Sequence, residues 1–379
     1  MARSFDVVIV GTGPAGASAA NALAEAQGIS VALVDKAELP RPKACGGIFP
    51  QRMGARIGGL PGLPVEVEYP SFGFTNRGED ATLQKGKVIG VNRAAFDHAL
   101  TRRAVAQGQG SVTLVEAFQV DQLDVTDDHV SVRDKSGAAI DAQVLIAADG
   151  AFSRIARLTG LNSGNIVRPA IDIEIEASPD GLPMQGSSMI MDLFRIHDGY
   201  AWVFPKANCM SCGILSWSGK TNLNTALDDY LEWRFPNGWS VISRMGHGLP
   251  IYSSRKQIAR GRVLLAGDAA NLVEPIYGAG IEAAVESGVM AAHAALAMCQ
   301  GRDTPERLAA AYQAEVQRKL GDPMGAMYQH VSPLFRDKPD FFYRNFIAGH
   351  LSHEAFAVRL AGLHSGDGAA ATPPPSMLA

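Results

Sequence analysis

The sequence predicts an α/β fold in which a Rossmann-like parallel-sheet domain is joined to an antiparallel β-sheet domain and followed by a helical C-terminal region. Three observations predict it. A β-branched run, FDVVIV, enters the glycine loop GTGPAG close to the N-terminus. After Asn165 the chain turns to alternating, strand-like segments. From about Pro305 to Leu363 the composition becomes helical. On this reading residues 1–164 and 256–300 form a discontinuous nucleotide-binding domain and 165–255 a β-rich substrate domain. Residues 301–364 form the helical region and 365–379 a disordered tail.

The first element is a buried strand, since FDVVIV is short, apolar and ends at glycine. GTGPAG then places Gly11, Gly13 and Gly16 in G-x-G-x-x-G spacing, ASAANALAEA has the composition of a helix, and SVALVD is a second strand ending in Asp35. The first glycine allows a tight turn, the second lets a pyrophosphate approach, and the third lets helix and strand pack closely. Backbone N–H groups at the helix start meet phosphate charge, and Asp35 is placed to bond ribose hydroxyls. Glycine spacing alone is weak, because GAGIEA at 278–283 also fits it. Strand, helix, strand and acid together make the N-terminal unit a dinucleotide site.

Two later segments favour a flavin over a nicotinamide. VLIAADG ends in Asp149 and Gly150 and runs into AFSRIAR. GRVLLAGDAANLVEPIYGAGIEAAVESG reads as a strand, an aspartate at its end, a loop and a helix. A carboxylate at the carboxyl end of a strand lies where ligand hydroxyls lie, so Asp268 suits a polyol chain. Gly278 and Gly280 leave room for a flat ring, and the helix start offers N–H groups to a negative charge.

In the β-rich middle, period two puts Tyr200, Trp202 and Phe204 on one face, which suits an apolar, elongated substrate. Met184, Met189 and Met191 read as packing. Cys209 and Cys212 form one C-x-x-C without a second pair, so packing is favoured over zinc. His350 and His353 read as surface or core residues. Four cysteines make no disulfide framework, and a net charge of −4 makes no claim on nucleic acid. MARSFDVVIVG is no signal peptide, and IEAAVESGVMAAHAALAMC is interrupted by Glu282, Glu286 and His293, against a spanning helix. A cytoplasmic protein is expected, with peripheral membrane contact left open.

The fingerprint, ADGAFSR and LLAGDAANLVEPIYGAGI resemble the flavoproteins that include aromatic hydroxylases and polyene reductases. Within them, PRPKACGG, GVNRAAFDHAL and GYAWVFP are similar to the cysteine-glycine-glycine loop, the arginine helix and the Y-x-W-x-F-P strand of the geranylgeranyl reductase family. The resemblance spans roughly residues 4 to 300. It implies an FAD-dependent reductase of carbon–carbon double bonds in a prenyl-type substrate, with NADPH or another electron donor. It implies backbone at Gly46 and Gly47 lying against the isoalloxazine, with Cys45 near its reactive edge. Arg93 is implied as partner of cofactor phosphate or ring charge, and Ala15, Lys36, Val120 and Ile281 complete the cofactor-binding set. Cys45 is the first candidate proton donor and Tyr277 the second, and Tyr200, Trp202 and Phe204 form the substrate wall. The chain departs from the family at Gly213–Leu215, at Glu274 and Tyr277, and at Ala156, which puts the substrate in question more than the cofactor. The nearest rival is a monooxygenase of the same fold; Ile281 and Glu282, where such enzymes carry asparagine, favour reduction. A flavin-bearing factor acting on a protein partner is a third reading.

Overall fold

The computed structural model describes residues 3–26, 28–178 and 189–349. Met184, His350, His353 and the expected tail lie outside the described residues. The chain begins β1 (Arg3–Val10), α1 (Pro14–Ala24), β2 (Val31–Val34), β3 (Ile48–Pro50), β4 (Val65–Asn76), β5 (Glu79–Val91) and α2 (Arg93–Gln107). It continues with β6 (Val112–Val115), β7 (Val120–Val125), β8 (Val130–Asp134), β9 (Ala139–Ala147), α3 (Arg154–Thr159), β10 (Ile166–Ala177) and β11 (Met189–Leu193). Then come β12 (Gly199–Pro205), β13 (Met210–Ser216), α4 (Leu223–Arg234), β14 (Trp239–Ile251), β15 (Ala259–Arg260), β16 (Val263–Leu265), α5 (Ile281–Cys299) and α6 (Pro305–Val316).

One sheet runs β15-β16-β9-β1-β2-β6, with β16, β9, β1, β2 and β6 parallel and the β7–β8 hairpin added beside β9. Val7, Val8, Ile9 and Val10 are buried, as a strand covered on both faces requires. α1 and α5 cross tightly on this sheet: a Cβ at Gly288 would lie 2.2 Å from the Ala15 carbonyl oxygen. Gly16 has a similar duty, since a Cβ there would meet the Gly11 carbonyl oxygen at 1.8 Å. α5 is long and apolar enough to cross a membrane, but most of it is buried against these neighbours.

The second sheet runs β14-β10-β13-β12-β11-β4-β5-β3 and is antiparallel apart from the β11–β4 pair. This corrects one boundary of the sequence reading. Residues 48–91, assigned there to the nucleotide-binding segment 1–164, supply three strands of the other sheet. The pairing that joins them, with Phe72 opposite Met189, is too distant in sequence for local periodicity to disclose. Along β12, Ala201 and Val203 pack with Cys212, Leu227 and Leu231 beneath α4, while Tyr200, Trp202 and Phe204 turn to the opposite face. Asp192 on β11 pins α4 by accepting hydrogen bonds from Tyr230 and Arg234, and it also accepts one from Thr75 on β4.

Beyond α6 the helical region alternates α and π turns up to Ala348. Each of the three π turns carries one apolar residue onto the cavity described below: Leu320, Met327 and Phe346. Such bulges rotate a side chain out of the ordinary helical stripe.

The α1–α5 contact sets where both helix starts lie, so overpacking it is expected to be costly. Gly288→Val should lower unfolding free energy in urea by roughly 1–3 kcal/mol. An unchanged midpoint would show that the crossing is looser than described.

Candidate active site

A single continuous cavity of about 2240 Å³ lies between the two sheets, α5 and the C-terminal helices. Ligand pockets usually hold about 300–1000 Å³, so this one has room for a dinucleotide and a second molecule. Gly11, Gly13, Ala15, Asp35, Lys36, Cys45, Gly46, Gly47, Arg93, Val120, Asp149, Asp268, Tyr277, Gly278, Gly280 and Ile281 all reach it, as do Tyr200, Trp202 and Phe204. Gly16 does not. Its lack of a side chain serves the packing of the glycine loop.

The residues of one half fit a flavin dinucleotide. Gly13 caps α1 and Gly280 caps α5 without any side-chain bond to the first turn, and both helix starts open on the cavity. N–H groups left over at a helix start favour an anion. A Cβ at Gly13 would find only Arg41, 3.9 Å away, so the space above this glycine belongs to the cavity. Asp35 Oδ2 accepts from Thr12 N–H, the Thr12 hydroxyl and Arg41 Nε at 3.0, 2.6 and 3.1 Å, and Oδ1 accepts from Ala37 N–H at 3.0 Å. Burial alone would raise its pKa, but Arg41 and these bonds hold it below the usual carboxylate value. One acceptor position on Oδ1 is left for a ligand hydroxyl. Asp149 Oδ2 accepts from the Arg154 and Ile155 N–H groups, while Oδ1 is buried without a partner. Asp268 is kept ionised against its own burial by His247 and Lys43.

The loop at Cys45 is the junction of the two halves. Here the glycines answer to the protein itself. A Cβ on Gly46 would strike the Phe204 ring at 2.6 Å and approach Trp202 Nε1 to 3.4 Å. Gly47 has φ +66°, and a Cβ there would lie 2.2 Å from the Val91 carbonyl oxygen. The aromatic strand and β5 therefore demand bareness at 46 and 47 in their own right. Cys45 Sγ accepts from Gly47 N–H at 3.4 Å, and the Arg93 guanidinium lies within electrostatic reach of it. Arg93 is itself held by Asp97 through bonds of 2.9 and 2.8 Å, deeply buried. Arg93 reaches the cavity from the start of α2, beside this loop. Asp172 lies near the Cys45 backbone, and burial, then Glu174, push its pKa up to about 6.

The other half is apolar. Phe72, Phe74, Met189, Met191, Leu320 and Phe346 surround the Tyr200–Phe204 face. Gly213 makes that face fit: a Cβ there would sit 2.1 Å from the Trp202 ring. Tyr200 donates to the Tyr277 carbonyl oxygen, and the Tyr277 ring lies tilted against Phe74 with centroids 5.8 Å apart. Burial first, then Glu274 and Tyr200, drive the Tyr277 phenol pKa far up, which makes it a poor acid. Glu274 accepts from the Ile276 and Tyr277 N–H groups at 2.9 and 2.6 Å.

Sequence reasoning missed Arg41, Asp172, Lys206 and His247. Lys43 Nζ lies 2.6 Å from His247 Nε2, and His247 comes from β14, in the other sheet. Nothing local to PRPKACGG marks a histidine two hundred residues downstream as its neighbour. Cys209 and Cys212 are both free thiols, the second wholly buried among apolar neighbours.

Known proteins share this arrangement. The chain matches the pyridine nucleotide-disulphide oxidoreductase family over residues 5–175 and an FAD binding domain over residues 252–320. Digeranylgeranylglycerophospholipid reductase 1 of Methanopyrus kandleri is 30% identical over 335 residues, covering 84% of this chain and 87% of the relative. The enzyme of the same name from Methanococcoides burtonii is 28% identical over 344 residues, covering 85% and 82%. A geranylgeranyl bacteriochlorophyll reductase-like structure from Thermoplasma acidophilum superposes with a TM-score of 0.81 at 21% identity, over 92% of this chain and 91% of that one. The halogenase PltM, solved as a variant with FAD, gives 0.73 at 18% identity, over 96% and 84%; both structures speak to the fold. The identity with the Methanopyrus enzyme, sustained over most of both chains, goes further: this chain belongs to the geranylgeranyl reductase family of FAD-dependent oxidoreductases.

Proposed function

We propose that the protein saturates carbon–carbon double bonds of a prenyl-chain lipid, using FAD reduced by NADPH or another donor. One observation carries the reading: an apolar slot runs without interruption into the dinucleotide half of the cavity and meets it at Cys45. The names of its relatives, reductases of digeranylgeranylglycerophospholipid, supply the substrate class. A cytoplasmic protein that touches the membrane surface at the slot's mouth suits such a substrate.

An isolated alkene has no carbonyl to polarise it, so hydride arriving at one carbon must be matched by a proton at the other. Bound FAD supplies the hydride chemistry once reduced. The chain's part is to hold the alkene and to provide the proton. Trp202 and Phe204 are fixed behind the Gly46 backbone, so they offer a rigid wall against which an isoprene unit lies flat. Cys45 Sγ gives up the proton, and the nearby Arg93 guanidinium stabilises the negative charge left on sulfur. Tyr277, the second candidate donor, keeps its proton and serves as wall.

Glu274 is the acid beside Tyr277, and it tolerates the apolar setting by staying partly protonated. Burial raises its pKa to about 7, against the pull of the Tyr277 and Ile276 N–H groups. That value stands above the ordinary carboxylate value of about 4.3, so folding favours the protonated form. The contribution is whole below about pH 4 and is lost as the pH climbs through 7.

Three outcomes are expected. Dithionite-reduced, FAD-loaded protein incubated anaerobically with geranylgeranyl lipids should yield products heavier by two hydrogens per bond, read by mass; a strict need for oxygen would sink the reading. Cys45→Ala should retain FAD, seen by its absorbance, yet lose about 10²–10⁴-fold in turnover. In thermal melts, Glu274→Gln should gain on the parent between pH 5 and pH 8, whereas a difference that does not move with pH would remove Glu274 from the linkage.

A further inference from the structure

Lys206 follows the last residue of β12, and only 4% of its side chain is exposed. Its ammonium donates to the Val91 carbonyl at 2.7 Å and reaches the Gly47 carbonyl at 3.5 Å. The Gly47 carbonyl also accepts the Val91 N–H at 2.8 Å. Glu66 lies at the edge of ion-pair distance, 3.9 Å away. The cation therefore sits against the back of the loop whose front carries the thiol, and Gly47 joins the two: its carbonyl faces Lys206 and its N–H faces Cys45 Sγ.

Burying an ammonium costs several kcal/mol after relaxation, and burial is the first cause that lowers the Lys206 pKa. Two backbone carbonyls do not require a full charge, and a methionine would fill the same space. A charge retained under these conditions acts on something nearby, and Cys45 is within its electrostatic reach. The other charged or titratable groups around Cys45 are Lys43 on its own loop, Arg93 on α2, Asp172 on β10 and Tyr200 on β12. Three cations thus surround the sulfur: Arg93 on α2, Lys206 behind the loop, and Lys43, which is turned toward His247.

We propose that Lys206 is a positioning residue for the reduction: it fixes the Gly47 peptide that orients Cys45 and adds a further positive charge under which the thiol gives up its proton. The proposal rests on Cys45 being the proton donor. A residue that merely tied the loop to β5 would matter for stability and leave the chemistry of the sulfur alone.

The test compares Lys206→Met and Lys206→Arg in the FAD-loaded protein. The first readout is the pH dependence of Cys45 alkylation by iodoacetamide, followed on the Cys45 peptide by mass so that Cys209 and Cys299 do not interfere. Lys206→Met should move the alkylation midpoint upward and slow alkylation at pH 7 at least threefold. Its kcat should fall at least tenfold with KM within twofold of the parent. Lys206→Arg should bring both back to within threefold. If Lys206→Met does not fold, Lys206→Gln, which keeps a donor for Val91 without the charge, carries the same comparison. An unmoved midpoint with unchanged kcat overturns the proposal, as does an equal loss in Met and Arg variants. Alkylation needs no lipid, so a parent enzyme that reduces no prenyl alkene would defeat the functional reading while this arm still decides the role of Lys206.

Discussion

The structure turns on a steric fit at residues 45–47. Gly46 is pressed onto Phe204 and Trp202, and Gly47 is turned into a left-handed conformation against the Val91 carbonyl. Neither position admits a Cβ without moving a neighbour. This contact ties the loop after the first dinucleotide unit to the aromatic strand of the second sheet. It also leaves Cys45 on the boundary between a phosphate-binding half and an apolar half. Were the loop to lift, the cavity would remain, but the thiol would lose its place at the boundary.

Charge is distributed around that boundary in a way that suits its two halves. The dinucleotide half is polar, with uncapped helix starts and Arg41 paired with Asp35. Arg93 and Lys206 place positive charge beneath the thiol. The apolar half carries few ionisable groups, and burial shifts them toward their neutral forms: Tyr200 and Tyr277 remain phenols and Glu274 is half protonated near neutrality. The π turns of the C-terminal helices complete this wall with Leu320, Met327 and Phe346. An elongated hydrocarbon meets little there that requires water.

Much of the architecture was legible in the sequence because it is local. FDVVIV followed by GTGPAG and ending at Asp35 encodes strand, turn and helix within a few dozen residues, and LLAGDAANLVEPIYGAGI does the same for the second helix start. Period two along GYAWVFP was enough to put three aromatic rings on one face. The illegible part is what long-range pairing creates. Strands β3–β5 look like a continuation of the nucleotide domain until β4 is found beside β11. His247 becomes a neighbour of Lys43, and Asp172 of the Cys45 backbone, only after the two sheets close on each other. Reading Gly46 as ligand-facing said nothing of the aromatic rings it rests on, since no periodicity relates residue 46 to residues 202 and 204.

The claim with most resting on it is that the flavin ring meets the substrate slot at Cys45. A crystal structure of the protein grown with FAD tests it directly. The account predicts the isoalloxazine between the Cys45–Gly47 loop and the start of α5, with the sulfur in contact with the ring's edge and the aromatic strand beyond. A ring bound elsewhere in the cavity, with Cys45 facing away from it, would contradict it.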